Sequence, residues 1–163
     1  MMQYCLLIYL IIIFSNYEYN RIIEMILFML FINKLNKNHF SILHNYKITK
    51  SNDKPYHINY NVNNEYLKKA NKSNYCLDLI MDMKDGTILE LFNTFSKCLI
   101  YSYIIQLIYT LYLIHSNGYT HNDLNLGNIM YTKTKKKYIN ILNLSVPTMG
   151  YIFSIIDYGN ILL

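Results

Sequence analysis

The chain has 163 residues, of which 53% are hydrophobic and 15% charged, with a formal net charge of +5; this is room for one domain and excludes a disordered tail. Arg21 is the one arginine among the 15 basic residues, and nucleic-acid binding generally needs arginine forks or lysines clustered with aromatic residues, so we do not expect a nucleic-acid partner. The three cysteines are widely spaced without a CxxC motif, which argues against a disulfide framework or a zinc site and favours a reducing, intracellular compartment.

The first predicted elements are apolar. Residues 4–14 form an unbroken apolar run, which is shorter than the ~20 residues of a membrane-spanning helix and is not preceded by the basic residue of a signal peptide. We expect a buried strand or helix there, with a membrane anchor as the alternative. Residues 18–35 carry apolar side chains on nearly every side, which predicts a substantially buried helix.

The residue pattern in the middle of the chain predicts two strands and a long helix. Residues 40–48 interleave aromatic and aliphatic residues with polar ones and predict a strand, and residues 75–83 predict a second strand paired with it. Residues 50–74 between them are polar and predict a loop. A single helix is predicted from about residue 94 to residue 117, with Gly118 ending it.

The last part of the chain predicts short strands. After a polar loop at residues 119–128, strands are predicted at 129–131 and 138–142 around a lysine-rich turn at 133–137, which we interpret as a solvated hairpin tip. A final apolar strand at 151–156 leads into the sequence Asp-Tyr-Gly.

Two polar segments carry residues suited to chemistry, namely IHSNGYTHNDLNLGN at 114–128 and SIIDYG at 154–159. The first places a histidine, an aspartate and an asparagine in one loop after an apolar helix, and the second places an aspartate directly after an apolar strand. Phosphoryl transfer needs such groups, because one carboxylate must orient the attacking hydroxyl while an aspartate and an asparagine hold Mg²⁺ on the phosphates.

The segment HNDLNLGN resembles the protein-kinase catalytic loop H-R-D-L-x-x-x-N, and DYG resembles the D-F-G magnesium motif. The sequence LDLIMDMKDG is similar to the fifth strand and hinge of that family, and IIEMILFMLFINKL followed by HFSILHNYKI is similar to helix C and the fourth strand. The resemblance covers residues 18–163 and extends to the divergent serine/threonine-type protein kinases of large AT-rich DNA viruses.

This resemblance implies an α+β, protein-kinase-like fold, present as a partial two-lobed domain truncated at both ends. An apolar N-terminal segment, 1–17, would precede the domain. A remnant of the small lobe would comprise residues 18–83, and the front of the large helical lobe, with the catalytic loop and DYG, would comprise residues 84–163.

The resemblance also implies roles for individual residues. Asp123 would be the catalytic carboxylate that receives the proton of the substrate hydroxyl. Asn128 and Asp157 would hold Mg²⁺ on ATP. His121 would be structural and would pack on Tyr158, joining the catalytic loop to the metal-binding turn.

Other positions would contact the nucleotide or shape the turn. At the hinge, Asp82 and Met83 would present backbone groups to adenine. Glu24 is the first candidate for the helix C glutamate near the ATP phosphates, and Glu18 is the second. Gly159 would complete the metal-binding turn.

The sequence also departs from the family pattern. It has no glycine-rich loop and no lysine before helix C, so two groups that position ATP are missing. Asn122 stands where an arginine would read an activation-loop phosphate, and Asn125 stands where serine/threonine kinases commonly have lysine. Gly127 is also found in small-molecule kinases of this fold.

We therefore expect a protein-kinase-like phosphotransferase with weak activity, using ATP and Mg²⁺ and acting on a protein substrate. Alternatives are a non-catalytic pseudokinase or gene fragment, a small-molecule kinase of the choline or aminoglycoside type, and a membrane-anchored helical protein. A partner chain is expected over the exposed surface of the large lobe, and a membrane is not. The compartment would be the cytoplasm, or the host cytoplasm or virion for a viral protein.

Overall fold

The computed structural model describes residues 7–14, 19–35, 38–50 and 75–161. In chain order its elements are β1 (Leu7–Phe14), α1 (Tyr19–Leu35), β2 (Leu43–Lys50), β3 (Tyr75–Asp82), β4 (Gly86–Thr87), α2 (Ile88–Leu91), α3 (Lys97–Ser116), β5 (Ile129–Lys133), β6 (Tyr138–Ile141), β7 (Leu144–Pro147) and β8 (Tyr151–Ile155). Short 3₁₀ turns at Phe92–Thr94 and Leu126–Asn128 precede α3 and β5. The predicted α+β class is confirmed.

The first sheet has the strand order β1-β3-β2, and both pairings are antiparallel. The predicted pairing of residues 40–48 with 75–83 is confirmed. The apolar run near the start, which the sequence left between strand and helix, forms β1 on the other side of β3. Helix α1 buries Met25, Phe28 and Ile32 in one core with Leu77 and Leu79 of β3, so the helix covers this sheet.

The second sheet has the strand order β4-β5-β8 and is also antiparallel. Strand β5 extends to Lys133 and pairs with β8 over its whole length, while β6 pairs with β7 through a tight turn. The hairpin expected around the lysine-rich turn is therefore wrong. Strand β8 buries apolar side chains on both faces, so it is the better partner for β5, a choice that the alternation within each strand does not reveal.

The segment that enters β2 joins the two sheets. Phe40 forms a parallel bridge with Ile155, and the His39 imidazole donates through Nδ1 to the carbonyl oxygen of Phe153 at 3.4 Å. Ser154 donates its hydroxyl to the Asn38 carbonyl oxygen at 3.2 Å. Strand β8, which leads into the Asp-Tyr-Gly turn, is thereby fixed against the first sheet.

Helix α3 turns polar side chains inward. Gln106 is fully buried; its Nε2 donates to the Tyr151 carbonyl oxygen at 3.3 Å, and its Oε1 accepts the N–H of Phe153 at 3.0 Å. Ser102 donates to the carbonyl oxygen of Pro147 at 2.6 Å. Among the described helices, α3 is the one that is long and apolar enough to cross a membrane by length and composition. Its inward side chains nevertheless hydrogen-bond to the backbone of β7 and β8.

Candidate functional site

The loop with the candidate residues begins where α3 ends. Gly118 has a φ of 84°, a left-handed conformation that glycine adopts without steric cost. Its N–H donates to the His115 carbonyl oxygen at 3.0 Å, and the N–H of Tyr119 donates to that of Ile114 at 3.2 Å. These bonds satisfy the last carbonyls of the helix, and the prediction that the helix ends at Gly118 is confirmed.

His121 lies buried at the centre of this loop, with 2% of its surface exposed. Its Nε2 lies 3.1 Å from the Ile156 carbonyl oxygen, and its Nδ1 lies 3.4 Å from the backbone nitrogen of Asp123. The tautomer with its proton on Nε2 satisfies both contacts, because Nε2–H then donates to Ile156 while Nδ1 accepts from Asp123. The imidazole thus links the loop to the segment after β8.

Two asparagine amides hold the half-buried side chain of Asp123. Asn128 donates from Nδ2 to the Asp123 carbonyl oxygen at 2.8 Å and to Oδ2 at 3.3 Å. Asn125 donates to the other carboxylate oxygen, Oδ1, at 3.4 Å. Both oxygens of this carboxylate are therefore oriented by neutral donors, and each retains lone pairs for a further partner.

The backbone between these asparagines is equally constrained. Asn125 caps the 3₁₀ turn at Leu126–Asn128 by accepting the Gly127 N–H on Oδ1 at 2.8 Å. The carbonyl oxygen of Asn128 then accepts the N–H of Ile156 at 2.9 Å. The sequence pattern did not assign an orienting role to Asn125. An asparagine two residues before a glycine is the signal for such a side-chain turn.

Asp157 follows one residue after that hydrogen bond. It is exposed, and its φ of 61° lies in the left-handed region, which costs free energy for a residue with a Cβ and is concentrated at functional sites. Its Oδ1 accepts the Gly159 N–H at 3.3 Å. The turn therefore presents the carboxylate outward in a conformation that an aspartate adopts at a cost.

Tyr158 points the other way, into the core, with 1% of its surface exposed. Its ring centroid lies 5.7 Å from that of His121 and 5.2 Å from that of Phe28 on α1. Its hydroxyl donates to the Ile155 carbonyl oxygen, and burial raises the pKa of this phenol. The contact between His121 and Tyr158 that the resemblance implies is present, and it extends to α1.

At the predicted hinge, both backbone groups of Asp82 bond within the protein, and its carbonyl oxygen accepts the Ser41 hydroxyl at 3.4 Å. The N–H of Asp82 donates to the Ile42 carbonyl oxygen at 3.1 Å, and the Asp82 carboxylate lies 2.6 Å from His44. The side chain of Met83 is half exposed. Lys84 turns inward, donates to the Phe40 carbonyl oxygen at 3.3 Å, and has its pKa lowered by burial although Asp82 opposes the shift.

Glu24, the first candidate for the helix C glutamate, is turned to solvent. Glu24 is exposed on α1 and forms no ion pair with another described residue, and Glu18 lies outside the described residues. Arg21, one turn before Glu24, instead donates from its guanidinium to Asn160 Oδ1 at 3.0 Å. Arg21, to which the sequence pattern gave no role, therefore adds a polar contact to the Phe28–Tyr158 packing between α1 and the Asp-Tyr-Gly turn.

The donor set suits a cation shared with phosphate. Because Nδ2 of Asn128 is turned toward Asp123, its Oδ1 is left for a metal, and Asp157 keeps a carboxylate oxygen beyond its bond to Gly159. In the ranges that the structure describes, no three His, Cys, Asp or Glu side chains gather into a metal site. Mg²⁺ commonly takes one or two protein oxygens together with substrate phosphates, and carboxylate and amide oxygens are ligands of the kind it binds.

Comparison with known proteins adds no assignment. No protein-family model matches this sequence, and a search of curated proteins finds no match.

Proposed function

We propose that this chain is a divergent protein-kinase-like phosphotransferase that binds Mg·ATP between the segment after β3 and the loop containing Asp123. One observation carries the proposal. Two segments some 35 residues apart are joined by a pair of hydrogen bonds, from His121 to the Ile156 carbonyl and from the Ile156 N–H to Asn128. This junction joins the loop that contains Asp123 and Asn128 to the segment that leads into Asp157, which supports a shared role for these three residues.

The resemblance assigns the chemistry of each residue, and the contacts described above are compatible with it. The carboxylate of Asp123, held by Asn125 and Asn128, accepts the proton of a hydroxyl as the hydroxyl oxygen bonds to the γ-phosphorus and the bond to ADP breaks. Asn128 and Asp157 would hold Mg²⁺, which offsets phosphate charge when bound. The buried contacts of His121 and Tyr158 fix the spacing between these groups.

Weak turnover is part of the proposal. Strand β1, which adjoins β3, reads LIYLIIIF and contains no lysine, so no cation from this strand reaches the phosphates. Because positioning and charge neutralisation dominate phosphoryl transfer, this chain holds the γ-phosphate poorly. The same observation favours a second candidate function, nucleotide binding without turnover, as in a pseudokinase.

Nucleotide binding is tested by titrating the purified chain with a fluorescent ATP analogue, with and without Mg²⁺. We expect binding that Mg²⁺ strengthens, and a loss of roughly tenfold in the Mg²⁺-dependent affinity for both Asp157→Asn and Asn128→Ala. The matched control is Asn140→Ala, which removes an exposed asparagine from β6. Equal affinities for all four proteins, or binding indifferent to Mg²⁺, would overturn the assignment of the metal ligands.

A further inference from the structure

We propose that the groove between residues 134–138 and 147–150 is a docking site for an acidic peptide segment of a partner protein. The groove has a volume of about 380 Å³ and lies open to solvent. The lysine-rich segment forms one wall, and the turn between β7 and β8 forms the other. Neither wall contains a residue of the candidate phosphotransfer site.

The lysine-rich wall has a fixed backbone. Thr148 is fully buried; its hydroxyl donates to the Lys136 carbonyl oxygen at 2.5 Å, and its N–H donates to that of Lys137 at 3.0 Å. The N–H of Thr134 donates to the Gly150 carbonyl oxygen at 2.9 Å. A ligand therefore does not have to order this backbone on binding, which lowers the entropic cost of association.

The positive charge of this wall has no acidic partner among the residues that the structure describes. The wall contains three consecutive lysines, 135–137, and Lys133 precedes it; all four side chains are exposed. In the described part of the chain their ammonium groups form no ion pair. Asp85 reaches this region, but its carboxylate accepts the backbone N–H of Lys133 at 2.6 Å. An acidic partner would meet concentrated positive charge, which accelerates encounter and selects against basic partners.

The opposite wall favours a peptide over a nucleic acid. Pro147 and Met149 are exposed there, and Tyr138 beside the lysines is 60% exposed. Carboxylate and apolar side chains alternating along an extended peptide would satisfy both walls at once. Lysines beside an exposed tyrosine also suit nucleic acid, but the exposed Pro147 and Met149 offer apolar contacts that a phosphate backbone does not use.

The groove lies at the end of the β5–β8 pair opposite to the candidate site. The register places Ile129 opposite Ile155, next to the loop with Asp123, and Lys133 opposite Tyr151, next to the groove. Four residues of strand separate these ends, roughly 14 Å. A partner held in the groove would therefore leave the candidate site open and would raise the local concentration of its own neighbouring segments there.

The test is fluorescence polarisation with the full chain and a fluorescein-labelled peptide of alternating glutamate and leucine. We expect saturable binding that weakens at high salt. The affinity for the peptide should fall roughly tenfold in the triple variant Lys135→Gln, Lys136→Gln, Lys137→Gln. The matched control, Lys34→Gln, Lys47→Gln, Lys97→Gln, removes the same charge from exposed lysines elsewhere and should bind as the parent does. Circular dichroism melting curves establish that both variants fold.

A second variant separates the groove from charge alone. Tyr138→Ala keeps every lysine and should weaken the peptide severalfold. The proposal is overturned if the two triple variants lose affinity equally, if Tyr138→Ala binds like the parent, or if a lysine–leucine peptide binds as well as the acidic one. Tighter binding of a single-stranded RNA of matched charge would also overturn it, and would assign the groove to nucleic acid.

Discussion

The imidazole of His121 lies 3.1 Å from the carbonyl oxygen of Ile156 and thereby holds the loop after α3 against the end of β8. Because Ile156 returns its own N–H to Asn128, this contact sets the distance between the Asp123 loop and the Asp157 turn. The histidine therefore acts on stability and geometry together. Its removal should be measurable without any knowledge of the substrate.

His121→Ala is expected to lower the free energy of unfolding by about 3 kcal/mol, since it leaves a cavity and an unpaired carbonyl oxygen at Ile156. Urea denaturation followed by circular dichroism measures the change. His115→Ala is the control, because His115 is exposed near the end of α3 and should cost less than about 0.5 kcal/mol. Equal losses in the two variants would contradict the structural role of His121.

Two substitutions at Tyr158 distinguish the contribution of ring packing to stability from that of the hydroxyl hydrogen bond. Tyr158→Phe removes the hydroxyl that donates to Ile155 and should cost about 1–2 kcal/mol. Tyr158→Ala also removes the contacts with Phe28 and His121 and should cost about 4 kcal/mol. Both are measured by urea denaturation. Small and similar losses of unfolding free energy in the two variants would contradict the buried position of Tyr158.

Local patterns predicted the elements better than their partners. Helix α1, the strand ending at Asp82 and the helix ending at Ser116 all lie within a few residues of their predicted bounds, because hydrophobic runs and capping residues are local signals. The pairing of β5 with β8 was missed because strand choice depends on contacts between distant segments. The inward polar face of α3 was not predicted either. Gln106 is buried because it hydrogen-bonds to the backbone of β8, and the hydrophobic periodicity of a helix does not reveal such partners.

The residues of the candidate site could be named from the sequence where they belong to a motif of fixed spacing. The sequence named His121, Asp123, Asn128, Asp157 and Tyr158, and the structure joins the two segments that contain them. The contact of Arg21 with Asn160 was missed because the sequence does not reveal such a distant partner. Asn125 was missed although its spacing before Gly127 signals a side-chain turn, because that signal does not show that its amide also reaches Asp123. The roles of all these residues in phosphoryl transfer stay predictions.

His39 should make stability fall in mild acid. Burial lowers the pKa of His39 to about 4, and the Lys84 charge adds to the shift against a hydrogen bond to Phe153. The unfolded chain therefore binds a proton near pH 6.5 that the folded chain refuses until about pH 4. Stability contributed by the neutral ring is complete above pH 6.5 and declines by about 3 kcal/mol as the pH falls to 4.

Urea denaturation across this pH range tests the linkage. His39→Asn retains an amide that can donate to Phe153 and should flatten the slope between pH 6.5 and 4. The parallel variant His115→Asn changes an exposed histidine and should keep the parental slope. A slope that is unchanged in His39→Asn would show that other groups account for the acid sensitivity.

The last prediction concerns turnover. The purified chain with Mg·[γ-³²P]ATP and a generic protein substrate should incorporate label near the detection limit, since β1 supplies no lysine and each 1.36 kcal/mol of lost transition-state stabilisation costs about tenfold in rate. Any incorporation should disappear in Asp123→Asn, which keeps the shape of the side chain but removes the proton acceptor. It should persist in Asn140→Ala, which changes an exposed asparagine on β6 away from the proposed nucleotide site. Robust labelling that Asp123→Asn abolishes would contradict weak turnover and direct the search for a substitute cation to Lys47. Labelling that survives Asp123→Asn would instead contradict the proposed role of Asp123, while binding of Mg·ATP without labelling would favour the pseudokinase function.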